Sequence, residues 1–198
     1  MLHNLLLSSG AIAWIIGIVV FLLVVIVVVW WIKTMNTMIR LDNKSEEAFS
    51  TIDVYLKKRF DLVPNLVETV KGYAKHESQT LEKVVAARSA TAVAVTPEQK
   101  MEAAKQLGSS LRTLLTAVSE NYPDLKANSN FLSLQGDLRR IEDEIESARR
   151  YYNGVVKSFN TKIEVFPASI VAKRKAYEKK QYFELDSAEE RKNVKVQF

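Results

Sequence analysis

Residues 131–159 decide the fold, and they read FLSLQGDLRRIEDEIESARRYYNGVVKSF. Apolar side chains recur in this stretch at alternating steps of three and four residues, which places them on one face of a helix. The stripe consists of Phe131, Leu134, Leu138, Ile141, Ile145, Ala148, Tyr152, Val155 and Phe159. This spacing predicts a long helix with coiled-coil packing against neighbouring helices. We expect it to end at Pro167, because proline cannot continue the hydrogen-bond ladder.

Two more helices are predicted before this one. A second apolar stripe predicts a single helix from near Met35 to about Thr91. The next helix is expected to begin at Pro97, because Thr96 and Gln99 form a capping-box pattern, and to stop before the turn-rich residues 120–130. Short connections make consecutive helices antiparallel neighbours. The sequence therefore predicts an all-α fold, in which an N-terminal transmembrane helix is followed by an elongated antiparallel helical bundle.

The transmembrane helix is predicted from residues 11–32, which contain no charged side chain. As a helix they span about 33 Å, which matches the roughly 30 Å hydrocarbon core of a bilayer. A cleaved signal peptide is the alternative, but no Lys or Arg precedes the run and no small-residue cleavage pattern follows it. Lys33, Arg40 and Lys44 follow the run. Basic residues tend to stay in the cytoplasm, so we expect the N-terminus outside and the soluble body inside.

Four segments follow from this pattern. They are a short N-terminal segment (1–10), the transmembrane helix (11–32), the long-helix bundle (33–167) and a basic C-terminal tail (168–198). In the tail we expect a short helix over Ala168–Lys180 and a short strand or extended docking end over 194–198. The basic run Lys173–Lys180 could return to the membrane face, but we favour a solvated helix end, because charge runs are usually solvated.

The sequence gives no sign of catalysis. His76 and Glu77 begin the zinc-protease pattern H-E-x-x-H, but Thr80 stands where the second histidine is required. The other histidine is His3, and the chain has no cysteine, so we expect no metal site. The six glycines form no nucleotide-binding motif, so no cofactor is predicted. The 28 basic and 23 acidic residues interleave without a recognised nucleic-acid module, so no nucleic acid is expected.

Pro64 lies inside the first predicted helix, and the apolar stripe keeps its phase on both sides of it. It is therefore interpreted as a kink in one helix rather than as a boundary. Proline removes one backbone donor and frees the carbonyl of Phe60, so a bend is predicted between about residues 58 and 66. Asp61 and Asn65 lie beside this defect. We expect them to bond exposed backbone groups or a neighbouring chain.

Four segments resemble successive signatures of the bacterial LemA family. They are RFDLVPNLVETVKGYAKHESQTLEKV (59–84), NYPDLKANSNFLSLQ (121–135), ARRYYNGVVKSFNTKIEVFP (148–167) and YFELDSAEERKNVKVQF (182–198). The resemblance covers essentially the whole chain. It implies a single-pass protein of the bacterial cell membrane with a soluble bundle of antiparallel helices, and it implies no reaction or catalytic residue.

The positions that stand out within these segments are candidates for structural or interaction roles. They are Asp61, Pro64, Asn65, Tyr122, Pro123, Asp124, Tyr151, Tyr152, Asn153 and Asn160. Two features depart from the family pattern. Gly136 falls inside the third helix, where glycine costs about 1 kcal/mol relative to alanine. The basic run Lys173–Lys180 has no counterpart in that pattern.

Two functions are compatible with these features. The first is a membrane-anchored, non-enzymatic scaffold that forms a homo-oligomer through its helical bundle and contacts lipid through its N-terminal helix. The second is an adaptor or regulator that binds another membrane protein, such as a protease or a transport system. Several aromatic residues could serve an interface or fill the core, namely Tyr55, Phe60, Phe131, Tyr151 and Tyr152. A hydrolase remains a remote third hypothesis.

Overall fold

The computed structural model describes residues 9–74 and 77–183, and this part of the chain is an all-α helical bundle. The helices are α1 (Ser9–Lys71), α2 (Ser78–Val93), α3 (Pro97–Asn121), α4 (Pro123–Lys126), α5 (Ser129–Glu164) and α6 (Ala168–Arg174). The predicted fold class is thereby confirmed. The extended end predicted for 194–198 and the histidine at position 76 lie outside the described residues.

The prediction of one helix from Met35 to Thr91 was wrong. Helix α1 ends at Lys71, and α2 begins at Ser78. The backbone turns at Gly72, a residue with low helix propensity, and the amides of Tyr73 and Ala74 both donate to the carbonyl of Val70. The apolar stripe concealed this break because Ala74 is itself buried at the turn, as are Leu81, Val84 and Ala87 of α2.

The other helix boundaries agree more closely with the sequence. Thr96 caps α3, where its side chain accepts from the amide of Gln99 while the Gln99 side chain accepts from the amide of Thr96, so the predicted capping box is confirmed. Helix α5 covers the stretch predicted for the third helix. Helix α6 ends at Arg174, earlier than the predicted Lys180, and Ala176 beyond it has a positive φ of 52°.

Of the described residues, Lys44–Val156 and 181–183 form one compact unit. In it α1 and α5 run antiparallel, since Lys44 lies over the ring of Tyr151 and Arg59 pairs with Glu142. Two apolar clusters fill its core. The first joins α1, α2, α3 and α5 around residues such as Val63, Val84, Leu114 and Phe131, and the second joins α1, α3 and α5 around Ile52, Ala104 and Ile145.

The second compact unit consists of residues 9–43 together with Lys157–Lys180. Its core joins Met38 of α1 to Phe159 and Ile163 of α5 and to the buried face of α6. Trp30 and Trp31 pack against this core from α1. The rings of Phe159 and Tyr177 meet edge to face at 5.4 Å between centroids.

The N-terminal part of α1 is long and apolar enough to cross a membrane. The most apolar stretch of 18 residues in α1 has a mean hydropathy of 3.5 and contains no buried residue. Among the described residues, α1 is the one helix with these properties. The large apolar side chains from Ile12 to Val29 are exposed. A membrane-spanning helix was predicted over residues 11–32, and the helix that covers those residues is long and apolar enough to span a membrane.

Candidate interaction site

The carbonyl that Pro64 leaves without its helical partner is bonded by an arginine from α2. Helix α1 continues through Pro64, which confirms that the proline is not a helix boundary. The Arg88 Nε donates to the carbonyl of Phe60 at 3.3 Å, and the Arg88 guanidinium lies 3.9 Å from the centre of the Phe60 ring. Arg88 therefore supplies the hydrogen bond that the missing proline amide cannot make, and it also packs on the ring of the same Phe60.

Asp61 and Asn65 do not take this role. The Asp61 carboxylate is exposed and pairs with Lys57 at 2.6 Å. The exposed Asn65 contributes its backbone carbonyl, which accepts from the hydroxyl of Thr69 at 2.7 Å. The donor to the freed carbonyl is instead Arg88, which α2 places there as it folds back along α1. The bend near Pro64, and contact of Asp61 or Asn65 with a neighbouring chain, stay predictions.

The two substitutions Arg88→Ala and Pro64→Ala are expected to be coupled. Alone, Arg88→Ala leaves the part-buried Phe60 carbonyl without a donor and should lower the free energy of unfolding by about 1–2 kcal/mol. Alanine at position 64 restores the helical amide, so Arg88→Ala should cost about 1 kcal/mol less in that background. Urea titration of the four proteins gives the coupling. Strict additivity would contradict this account of Pro64.

Tyr122 lies at the junction of α3 and α4, where it contacts the α1–α2 turn. Its hydroxyl donates to Glu77 at 3.4 Å. Partial burial, and after it the charge of Glu77, raise the pKa of Tyr122 above its ordinary value, so the hydroxyl stays protonated. Pro123 and Asp124 form the first turn of α4 and are exposed. Tyr122 thus joins two turns, whereas its two neighbours remain at the surface.

Asn128 links the α1–α2 turn to the start of α5. Its amide nitrogen donates to the Tyr73 hydroxyl at 3.1 Å. Its amide oxygen accepts from the backbone of Asn130 and Phe131 and so caps the start of α5. Sequence reasoning missed Asn128, although an asparagine just before a long apolar stripe is a typical N-cap signal.

Asn153 and Tyr152 of α5 bind the backbone of the segment that follows Lys180. The Asn153 side chain accepts from the amide of Phe183 at 2.8 Å and donates to its carbonyl at 2.9 Å. The Tyr152 hydroxyl donates to the carbonyl of Gln181 at 3.1 Å. Burial, with a further effect of Glu98, raises the pKa of Tyr152, which keeps it a donor at neutral pH. These side chains hold a segment that lies outside the helices, so its backbone groups bond to side chains of α5.

Asn160 makes the same pair of bonds in the other unit. Its amide group accepts from the backbone nitrogen of Lys180 and donates to the Lys180 carbonyl, both at 2.9 Å. The side chain is buried, so both polar atoms need partners and both have them. Lys180 also pairs with Asp42 of α1 at 2.6 Å. Asn153 and Asn160 therefore hold the backbone after α6, a role that the sequence did not reveal.

The aromatic residues considered for an interface lie in different environments. Phe131 and Tyr152 are buried in the core, and Tyr55 and Phe60 are partly buried. Only Tyr151 is exposed among these five, with 52% of its surface accessible and Lys44 above its ring. The interpretation of this group as core filling is thus right for Phe131 and Tyr152.

A groove of about 400 Å³ lies between α3 and α5, and Arg59 of α1 contributes to its lining. Its apolar surface comes from Leu111, Leu115 and Leu138. Its arginines are Arg59, Arg112 and Arg139, and its carboxylates are Glu120, Glu142 and Asp143. Charges of both signs therefore surround an apolar strip, which suits a peptide or helix that carries both charges better than a simple ion.

Arg59 is the most constrained polar residue of this groove. Only 4% of its side chain is accessible, and its two terminal nitrogens donate to Glu142 at 2.9 Å and to the carbonyl of Ala104 at 2.6 Å. Its Nε is buried without a partner among the residues that the structure describes. Sequence reasoning missed Arg59, but a signal existed. Arg59 occupies the position of the apolar stripe between Leu56 and Val63, where a charge must find partners inside the bundle.

Candidate metal ligands do not cluster in the part of the chain that the structure covers. No group of three or more His, Cys, Asp or Glu side chains there is arranged to hold an ion. The carboxylates of the groove pair with arginine or face solvent.

Comparison with known proteins places these residues in a family. The model of the LemA family matches residues 48–198. Protein LemA of Metamycoplasma hominis is 32% identical over 140 residues, which are 70% of this chain and 64% of that protein. The chain thus spans less than two thirds of the length of that relative. The matched region contains Arg59, Pro64, Arg88, Asn153 and Asn160.

Proposed function

The chain belongs to the LemA family, and from that premise we propose that it is a membrane-anchored, non-enzymatic scaffold that self-associates through its helical bundle. The groove between α3 and α5 is the observation that carries this proposal. Neither the fold nor the family description names a reaction, and the groove presents a surface for a helix. A second copy of the chain is the proposed occupant.

The anchor in this proposal is the apolar part of α1. Its exposed side chains match the hydrocarbon core of a bilayer in length and composition. We propose a single pass through the bacterial cell membrane, with the N-terminus outside. The soluble body lies in the cytoplasm in this arrangement, because Lys33, Arg40 and Lys44 follow the apolar segment and basic residues remain inside.

The groove supports a like partner because its charge pattern resembles that of the helices themselves. Helix α5 carries acidic and basic residues close together on its outer face, as Arg140 with Asp137 and Arg150 with Glu146 show. A helix of this kind could place carboxylates against Arg112 and Arg139 and basic side chains against Glu120 and Asp143. Interfaces with such complementary charges gain orientation and specificity more than raw affinity.

Thr116→Arg is expected to weaken self-association at least about tenfold, because it puts a long charged side chain on the groove wall. Thr113→Arg is the matched control, since Thr113 is also exposed on α3, one turn away, and does not line the groove. Native mass spectrometry of the full-length protein in detergent, over a range of concentrations, measures the effect. A wild-type monomer at every concentration, or equal effects of both substitutions, would sink the proposal.

An adaptor or regulator of another membrane protein remains the alternative use of the same groove. Crosslinking in cells separates the two, because a scaffold gives crosslinks between copies of this chain. A single different membrane protein, captured at fixed stoichiometry and lost in Thr116→Arg but not in Thr113→Arg, would favour the adaptor.

A further inference from the structure

The turn between α5 and α6 exposes three large apolar side chains. Val165 is 45%, Phe166 82% and Ile170 51% accessible. We call residues 165–170 the α5–α6 corner. Phe166 has the highest accessibility of the large apolar residues in the described part of the chain, and the neighbouring Ala168, Val171 and Ala172 are buried. The corner is therefore firmly packed on one side and apolar on the other.

This corner lies beside the end of the proposed membrane anchor. Ile163, Ala168 and Val171, which flank or belong to the corner, share one apolar cluster with Met38 of α1. Trp30 and Trp31 pack against the same cluster. Tryptophan favours the interface between lipid and water, and here the pair ends the apolar segment of α1. The exposed side chains of the corner are thus held next to the residues that mark the bilayer surface.

Basic residues follow the corner directly. Lys173, Arg174 and Lys175 are exposed at the end of α6, and none of them pairs with a carboxylate within the described residues. In contrast, Lys179 pairs with Glu164 and Lys180 with Asp42. Unpaired basic side chains beside exposed apolar ones are the combination that binds an anionic lipid surface.

We propose that the α5–α6 corner is a second membrane contact, in which Val165, Phe166 and Ile170 enter the interfacial layer of the bilayer and Lys173, Arg174 and Lys175 contact acidic headgroups. The inference rests on the proposed anchoring by α1. It gives this unit two points of contact with one lipid surface, so that α1 and the α5–α6 corner together fix its orientation. The sequence alone favoured plain solvation for the basic run. In this proposal, the apolar residues before it bring Lys173, Arg174 and Lys175 to the acidic headgroups.

The absence of cysteine permits a direct test. Three exposed valines are replaced singly in the full-length protein, as Val20→Cys in the apolar segment, Val165→Cys at the corner and Val95→Cys in the α2–α3 connection. Each thiol carries an environment-sensitive fluorophore, and the protein is reconstituted in phosphatidylcholine–phosphatidylglycerol vesicles with nitroxide-labelled lipid. We expect the lipid quencher to reduce the signal at positions 20 and 165 at least about threefold more than at position 95.

The three positions separate the two proposals. Quenching at position 20 without quenching at position 165 would overturn the corner contact and leave the anchor standing. No quenching at either position would overturn the anchor and the inference that rests on it. Phe166→Ser with Ile170→Ser should reduce quenching at position 165, and so should replacing Lys173, Arg174 and Lys175 by glutamine. Unchanged quenching in both variants would contradict the roles assigned to these side chains.

Discussion

Phe131→Ala is expected to lower the free energy of unfolding by about 3–5 kcal/mol, the usual cost of truncating a fully buried phenylalanine. None of the Phe131 side chain is accessible, and it packs in one cluster with Leu125 of α4 and Leu138 of α5. The substitution removes the apolar contact that joins the start of α5 to the α3–α4 junction. Urea titration of the full-length protein in detergent, followed by helical circular dichroism, measures the loss.

Leu132→Ala is the control for this prediction. Leu132 is the next residue of the same helix, and 49% of it is accessible. Both substitutions put alanine in the first turns of α5, so they change helix propensity little. We expect Leu132→Ala to cost less than about 1 kcal/mol. If the two variants unfolded at the same urea concentration, Phe131 would not be a core residue, and its role as an interface aromatic would need to be considered again.

Arg59→Ala is expected to cost about 2–3 kcal/mol of unfolding free energy. It removes an ion pair with Glu142, a hydrogen bond to the Ala104 carbonyl and the packing of a long side chain between helices. The cost stays below that of a fully buried pair, because 43% of the Glu142 side chain remains accessible to water. Thermal and urea unfolding of the full-length protein give this value.

Arg112→Ala tests whether the effect belongs to burial rather than to positive charge in the groove. Arg112 lines the same groove but is exposed. Its replacement should change the free energy of unfolding by less than about 0.5 kcal/mol. The double variant Arg59→Ala with Glu142→Ala, compared with Glu142→Ala alone, isolates the ion pair. Full additivity there would show that the loss comes from packing and from the hydrogen bond to the Ala104 carbonyl.

The helices of this protein could largely be predicted from local patterns. The capping box at Thr96 and the stripe of α5 depend on residues three and four positions apart, and such residues are neighbours on any helix. The break between α1 and α2 was missed for the same reason. A stripe with the right spacing continues across the turn because Ala74 is buried there, so periodicity alone could not place the end of the helix.

The candidate site was less predictable. Pro64 was recognised as a defect in α1, but its freed carbonyl is bonded by Arg88, which lies 28 residues from Phe60 in sequence. Asn153 and Asn160 were singled out only as members of a family signature. Their partners are backbone groups of Phe183 and Lys180, which no local rule identifies.

By itself, the sequence determined an all-α chain with one helix able to span a membrane, because apolar periodicity and the length of an uncharged run are local properties. Only the tertiary structure decided which polar groups meet. Arg59 and Glu142 are separated by 83 residues, and the antiparallel packing of α1 and α5 brings them into contact. The placement of such partners depends on how two distant helices align, and the free energy that fixes this alignment comes from the apolar core between them.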